Sequence, residues 1–407
     1  MAGPTSYFDP SRTSDLDAAT RDLVERRERA LGTAYRLFYR EPVQFVRASG
    51  TRLWDADGRE YLDAYNNVPS VGHAHPRVVA AIAEQAATLN THTRYLSAAL
   101  IDYAEDLLGT LPAAVSNVMF TCTGSEANDL ALRIAKNATG ATGIIVTANA
   151  YHGVTTEVAA ISPSLGGLES IAYWVRVVDP LDLAASTRAA LADLADKGIA
   201  PAAFVIDTIL ASDGVFADVE LTSAVAAVRE KGGLFIADEV QPGFGRLGIG
   251  MWGFDRYNLV PDLVTVGKPM ANGHPVAAVL ARPELIEEFG KRMRYFNTFG
   301  GNTVSIAAAQ ATLDVLRDER LIDNARDVGA YLKHELARFG TVRGEGLFIG
   351  VELENEERAL SVVNDLRDRG VLLAASGPLN NVLKVRPPLP FSREDADLLL
   401  SRLDEVV

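Results

Sequence analysis

Short apolar runs alternate with longer amphipathic stretches through the middle of the chain. "NVMFT" (117–121), "GIIVTA" (143–148), "AAFVIDTIL" (202–210), "LFIADEV" (234–240) and "DLVTVGK" (262–268) are β-branched and apolar on both alternations. Strands of that kind belong in a mostly parallel sheet buried on both faces. Between them, "GSEANDLALRIAKNA" and "LTSAVAAVREKGG" carry apolar residues at helical spacing, as does "PRVVAAIAEQAATL", which Pro76 opens. Residues 15–31 read as a charged helix, and another helix falls near 302–317. Closer to the N-terminus, "PVQFVRASG" and "TRLWDADGREYLDAY" predict short strands, with Asp57-Gly58 in a hairpin turn. Beyond 317 the pattern changes to "TVRGEGLFIGVELE", a helix, "GVLLAA", "NVLKVRPP" and a last helix. The expected architecture is α/β. A large domain spans 66–300, and a small α+β domain is built from both chain ends: an N-terminal arm with part of the domain in 1–65, the remainder in 301–407. No internal repeat is visible.

Composition narrows the class. A chain of 407 residues can bury a large core in two lobes, and 48% hydrophobic with 23% charged residues is ordinary for a globular protein. Basic residues number 39 against 53 acidic ones, for a formal charge of −14. That balance argues against a broad nucleic-acid surface, though not against a local basic pocket. Cys122, the single cysteine, cannot form an internal disulfide, which fits a reducing compartment. No signal-peptide core or membrane-length apolar segment is found, so a cytoplasmic location is the default expectation.

Three stretches carry candidate chemistry. In "FTCTGSEANDL", Thr123 and Glu126 make a capping-box pattern, placing Gly124 and Ser125 in a first helical turn whose N–H groups lack intrahelical partners. Such a turn suits a phosphate; a well-capped helix with no ligand is the plain alternative. "LFIADEVQPGFGR" puts Asp238 directly after an apolar strand, at the strand end where open α/β sheets bind ligands. A loop or capping aspartate would look the same. "LVTVGKPMANGHPVAAVL" ends a strand on Lys268, which is either a lysine reaching into water or one held inside with a lowered pKa. One ligand fits all three stretches: pyridoxal phosphate. Its phosphate suits the helix start, its ring nitrogen a carboxylate, and its aldehyde a lysine. The dinucleotide-like glycines of "GFGRLG" lack a following helix, and His73 and His75 lack a ligand cluster, so neither a nicotinamide nor a metal is expected. Cys122 reads as small-residue packing.

With these pieces in order, the sequence resembles the class III (ω-type) aminotransferases. "VGHAHP", "TGSEANDLALR", "AYHG", "DEVQPGFGR", "VGKPMANGHPVAAV" and "NTFGGN" carry the resemblance from roughly Trp54 to Pro388. It implies fold type I, with a mostly parallel seven-stranded sheet, and pyridoxal phosphate as cofactor. It also implies Lys268 as the lysine bonded to that cofactor, Asp238 at the ring nitrogen and Gln241 near the phenolic oxygen. Gly124 and Ser125 belong at the phosphate, Tyr151 on the ring, and His152 beside it. Thr298 would reach the phosphate of a neighbouring subunit's cofactor, implying a homodimer with shared sites. Two departures narrow the reading. Asp207 in "IDTILASDG" replaces a longer glutamate that often offsets a substrate-pocket arginine, here Arg386 of "KVRPPL"; it either frees Arg386 for an anionic group or still pairs with it. "AYNNVPSVGHAHP", which holds Asn67, and "LNTHTRYL", which holds Arg94, resemble the ethanolamine-phosphate and phosphohydroxylysine phospho-lyase branch. Arg94 is then a candidate phosphate ligand, or else a surface ion pair. The resemblance therefore implies elimination of ammonia and phosphate from a small phosphorylated amine. The alternatives are an ω-aminotransferase, a racemase on the same scaffold, or a cofactor-binding protein without turnover.

Overall fold

Alternate residues of each central strand enter different cores, and this is what makes the sheet two-faced. The protein is described by a computed structural model covering residues 7–407. Three short strands come first: β1 (Phe45–Ser49), β2 (Arg52–Asp55) and β3 (Glu60–Asp63). The central sheet follows with β4 (Asn117–Thr121), β5 (Gly143–Thr147), β6 (Val175–Val178), β7 (Pro201–Asp207), β8 (Leu234–Asp238), β9 (Leu263–Val266) and β10 (Ala277–Ala281). Their spatial order is β4-β10-β9-β8-β7-β5-β6. β10 runs against both β4 and β9, while β9, β8, β7, β5 and β6 are mutually parallel. The fold is the expected α/β one of fold type I. Ile144 and Val146 of β5 join one core, shared with the helix Gly124–Thr139; Ile145 joins the other, shared with helices Leu183–Asp196 and Leu221–Glu230. A strand with a core on each side has no polar face to offer, so its ionisable residues are displaced to its ends.

Helix starts follow local chemistry. In chain order the first four helices are α1 (Ala18–Leu31), α2 (Pro76–Thr88), α3 (Ala98–Leu108) and α4 (Gly124–Thr139). The expected 15–31 helix begins only at Ala18, because Asp17 accepts from the N–H groups of Ala19 and Thr20 at 2.9 and 3.0 Å and so caps it there. α3 is not among the helices expected from the sequence; it buries only Tyr103 and Leu107 fully and packs Leu100, Ala104 and Leu108 partly against the core. Asp57 and Gly58 do turn the β2–β3 hairpin: Asp55 accepts from the N–H groups of Asp57 and Arg59, and Gly58 has φ +83°.

The chain's end forms a second sheet from β11 (Thr341–Glu345), β12 (Phe348–Glu352), β13 (Val371–Leu372), β14 (Ala374–Ser376) and β15 (Val382–Val385), of which β13 departs elsewhere. Its order is β11-β12-β15-β14, all antiparallel. The run "GVLLAA", expected as one strand, is divided. β13 pairs in parallel with β3 of the N-terminal sheet, while β14 pairs with β15. Two sheets compete for the same run, and Leu373, fully buried, is where the chain passes between them. Among the described residues, no helix is long and apolar enough to cross a membrane.

Candidate active site

The register of the central sheet aligns its polar strand ends. Asp207 of β7 lies opposite Asp238 of β8, and Asp238 lies opposite Thr265 of β9. Lys268 follows three residues beyond Thr265, after Gly267. One row therefore holds two carboxylates, a hydroxyl and an amine at the carboxyl edge of the parallel strands, where ligands collect in open α/β sheets. Lys268 opens a 3-10 turn, Lys268–Ala271, with φ +28°, a conformation that side-chain-bearing residues rarely adopt. Burial, and next the positive charge of Arg386, bring its amine down to about 8, while Asp238 and Asp207 pull the other way.

Asp238 is the hub of a buried polar network. Its Oδ2 accepts from His152 Nδ1 at 2.7 Å and from Asn128 Nδ2 at 3.0 Å, and its Oδ1 from the Val240 N–H at 3.1 Å. Asn128 also donates to the His152 carbonyl at 2.8 Å, and its own Oδ1 accepts from Thr265 Oγ1 at 2.7 Å. The carboxylate is thus fixed by three donors and keeps acceptor capacity for one more. Sequence reasoning missed Asn128 and Thr265. A signal existed for each: Asn128 sits one turn after Gly124 on the inward side of α4, and Thr265 is the one hydroxyl in an apolar strand.

The start of α4 is built for close approach. Thr123 caps it as expected, accepting from the Glu126 N–H at 3.2 Å, but the reciprocal bond differs from the usual box. Glu126 reaches one residue further back, to the Cys122 N–H at 2.7 Å. Ser125 Oγ accepts from the Val154 N–H at 3.1 Å. A Cβ at Gly153, where φ is +141°, would sit 2.4 Å from Ser125 Oγ, so only glycine lets "AYHG" lie against this turn. Tyr151 and His152 precede it; the first is partly exposed, and burial raises its phenol, with the charge of Asp238 adding to the effect. His152 Nε2 is buried without a partner.

Arg386 arrives from the other sheet. It follows β15, donates its N–H to the Ala64 carbonyl at 3.0 Å, and lays its guanidinium over the Tyr65 ring at 4.5 Å. Its Nη1 donates to Gln241 Oε1, and its Nε is buried without a partner. Asp207 forms no ion pair with it. Both carboxylate oxygens of Asp207 instead accept backbone N–H groups, from Ile209 and Ala211, at 3.0 Å each. Burial and the nearby charge of Asp238 push Asp207 up to about 6. Of the two possibilities for the shortened acid, the freed arginine is the one found. Asn67 lies in the loop after Tyr65, buried, with its Nδ2 unpartnered; Ser70 ties that loop to the Lys268 turn by donating to the Pro269 carbonyl at 2.9 Å. A further cation was missed in the sequence: Lys384 of β15, buried among charges that include Arg386, Asp207 and Lys268.

Two expected residues take no part in this group. Arg94 is exposed and stacks 3.7 Å above the Phe296 ring, lining a separate cavity of about 440 Å³ with Thr93, Leu100, Phe120 and Tyr295. Thr298 is exposed beside Asn297, which donates to Glu126 at 3.2 Å. The remaining motifs have structural partners. His73 binds Asp63 at 2.7 Å, and His75 binds Glu319 at 3.0 Å. In "GFGRLG", Arg246 is buried and donates to the carbonyls of Leu347 and Pro387, tying this loop to the turn after Arg386. Glu239, next to Asp238, accepts from Thr208 and from the N–H groups of Gly253 and Phe254, so it braces the fold rather than facing Lys268.

A family profile described as aminotransferase class-III matches residues 38–407. The chain belongs to the class III aminotransferases. Within this family it is 39% identical to an alanine–glyoxylate aminotransferase 2-like protein of Drosophila melanogaster, over 93% of this chain and 85% of that protein. Identity to ethanolamine-phosphate phospho-lyase homolog 1 of Caenorhabditis elegans is 35%, over 98% of this chain and 96% of that one. Among solved structures, a phospholyase from Arthrobacter in complex with phosphoethanolamine superposes with a TM-score of 0.92 at 42% identity, covering 95% of this chain and 99% of its own. The ornithine aminotransferase of Toxoplasma gondii gives a TM-score of 0.83 at 26% identity, covering 97% of this chain and 96% of its own. As a class III aminotransferase-family enzyme, the protein uses pyridoxal phosphate.

Proposed function

We propose that this enzyme is a phospho-lyase, eliminating ammonia and phosphate from O-phosphoethanolamine or a similar phosphorylated primary amine. The observation that carries the proposal is Arg386, a buried guanidinium beside Lys268 with no carboxylate partner, where a substrate anion would complete its hydrogen bonding. The likeness to a phospholyase holding phosphoethanolamine supports it.

The site residues fit the cofactor. Gly124 and Ser125 offer free N–H groups at the start of α4, with room kept by Gly153, for a phosphate. Asp238 has acceptor capacity left for a ring N–H, Tyr151 and His152 offer ring faces beside it, and Lys268 offers an amine. Gln241, which accepts from Arg386, would be available to the cofactor's phenolic oxygen. When bound, pyridoxal phosphate supplies an electron sink for charge left on the amine-bearing carbon of the substrate. Lys268 Nζ takes the proton from that carbon, and lowering from 10.5 to about 8 gives it a far larger unprotonated share near neutral pH than an ordinary lysine has. Arg386 holds the phosphate oxygens as the carbon–oxygen bond breaks with its electron pair. Water then completes the balance, giving acetaldehyde, ammonia and inorganic phosphate. Purified, cofactor-loaded enzyme is expected to release phosphate from O-phosphoethanolamine without an oxo-acid acceptor. Absence of phosphate, together with amino transfer to pyruvate or glyoxylate, would replace this reading with the aminotransferase one that the Drosophila relative suggests.

We also infer a homodimer with shared sites. Thr298 is too exposed to serve this chain's own cradle, and its neighbour Phe299 and Leu96, two residues after Arg94, are 70% and 99% exposed. Large apolar side chains left so open suit a covered surface. Sedimentation should give a dimer, and Leu96→Asp should yield monomers that release no phosphate; an active monomer would overturn the shared site.

A further inference from the structure

β15 and the residue just after it present two cations on one side. Lys384 and Arg386 are two residues apart, so their side chains leave the strand on the same side, while Leu383 and Val385 point the other way into the core. Lys384 is only 7% exposed, its backbone is paired on both sides, and among the described residues its side chain has no hydrogen bond and no ion pair within 4 Å. Its cross-strand neighbours, Gly350 of β12 and Ala374 of β14, carry no acceptor. The acids whose charge reaches it are engaged elsewhere. Asp207 accepts from Ile209 and Ala211, and Asp213 accepts from Thr147 Oγ1 and the Asn149 N–H, both at 2.6 Å. Burial, with Arg386 and Lys268 adding to it, holds the ammonium well below the ordinary lysine range. An unpartnered buried cation is costly to fold around, so its retention points to a ligand that offsets it.

We propose that Lys384 and Arg386 together form the subsite for the substrate's phosphate, with Lys384 setting the preference for a dianionic phosphate over a carboxylate. A single guanidinium already matches a carboxylate through two parallel N–H bonds. A phosphate monoester carries nearly a second charge and a third oxygen at neutral pH. A point cation on a flexible stem, standing beside the guanidinium, supplies what the fork leaves unmatched. The identity of the anion rests on the phospho-lyase reading; the two-cation subsite rests on β15.

The test uses holoenzyme and two amines that cannot lose phosphate: 2-aminoethylphosphonate and its carboxylate counterpart, β-alanine. By calorimetry the parent should favour the phosphonate. Lys384→Met should weaken phosphonate binding by roughly 10- to 100-fold and change β-alanine binding little, and Lys384→Arg should keep most of the phosphonate affinity. Lys384→Met should also melt no lower than the parent, since an apolar side chain of similar length replaces a buried, unpaired charge. Unchanged phosphonate binding in Lys384→Met overturns the proposal, as does an equal loss of both ligands with a lowered melting temperature. The two readings separate cleanly. Lys384-dependent phosphonate binding by an enzyme that releases no phosphate overturns the activity and supports the subsite. Phosphate release by Lys384→Met with parental KM supports the activity and overturns the subsite.

Discussion

Lys268→Ala is expected to lower phosphate release from O-phosphoethanolamine by at least about 10³-fold, while leaving a folded protein. The loss is large because the side chain does two things that no neighbour can take over. Its amine is the one amine beside the row formed by Asp207, Asp238 and Thr265, and in the proposed mechanism it is also the base. The other buried lysine, Lys384, leaves from a different sheet beside Arg386. Alanine tolerates the +28° φ no better and no worse than lysine, so the turn is not rebuilt by the change. Borohydride treatment of the parent should leave the cofactor fixed on the Lys268 peptide, and that mass should be absent from the variant. An added small amine should restore part of the turnover, which a collapsed site would not permit. The titration adds a second check. An uncharged amine attacks aldehydes and an ammonium does not, so the competent fraction grows as pH rises through the folded-state value of about 8 rather than through the ordinary 10.5. Uptake of pyridoxal phosphate by cofactor-free chain should therefore rise between roughly pH 7 and 9. A midpoint near that of an exposed lysine, or a variant with near-parental turnover, would remove Lys268 from its proposed role.

Asp238→Asn should be nearly as damaging, lowering turnover by roughly 10²- to 10³-fold, for a different reason. The carboxylate sits at the end of β8 with its oxygens aimed by His152, Asn128 and Val240. An amide of the same shape keeps one oxygen for His152 and Asn128 but turns an N–H₂ toward the Val240 N–H, so donor meets donor. The negative charge that favours a protonated ring nitrogen is lost with it. Because Lys268 and the α4 cradle are untouched, the variant should still take up pyridoxal phosphate, with an altered absorption spectrum and faster loss on dialysis. Thr265→Val tests the geometry separately from the charge. It cuts the hydroxyl that orients Asn128, and should reduce turnover far less than Asp238→Asn. Turnover in Asp238→Asn within a few-fold of the parent, with an unchanged spectrum, would rule out the proposed contact.

The outcomes for individual residues show what could be seen beforehand and what could not. Asp238 and Lys268 were legible because each is a polar residue at the end of a two-faced apolar strand, where the parallel register brings such ends together, and Thr123 was legible from its capping-box pattern. Asn128 was hidden inside a helical pattern, where a polar residue on the inward side looks like an ordinary interruption. Arg386 was found as a motif, whereas Lys384 was passed over as one more charge in "NVLKVRPP"; nothing local distinguishes a lysine facing water from a buried one. Arg94 and Thr298 carry the motifs of a site but stand outside it in the single chain.

The sequence by itself determined the central strands of the large domain and the chemistry at their ends, because burial on both faces leaves a parallel strand no other place for a charge. Only the tertiary structure decided which distant segments meet that edge. It divided "GVLLAA" between two sheets, carried β15 across so that Arg386 and Lys384 face Lys268's surroundings, and left Asp207 bonded to its own backbone instead of to Arg386. Those outcomes depend on competition among long-range pairings, each buried against the others, and a linear pattern of apolar and polar positions records the partners available to a strand but not which of them prevails.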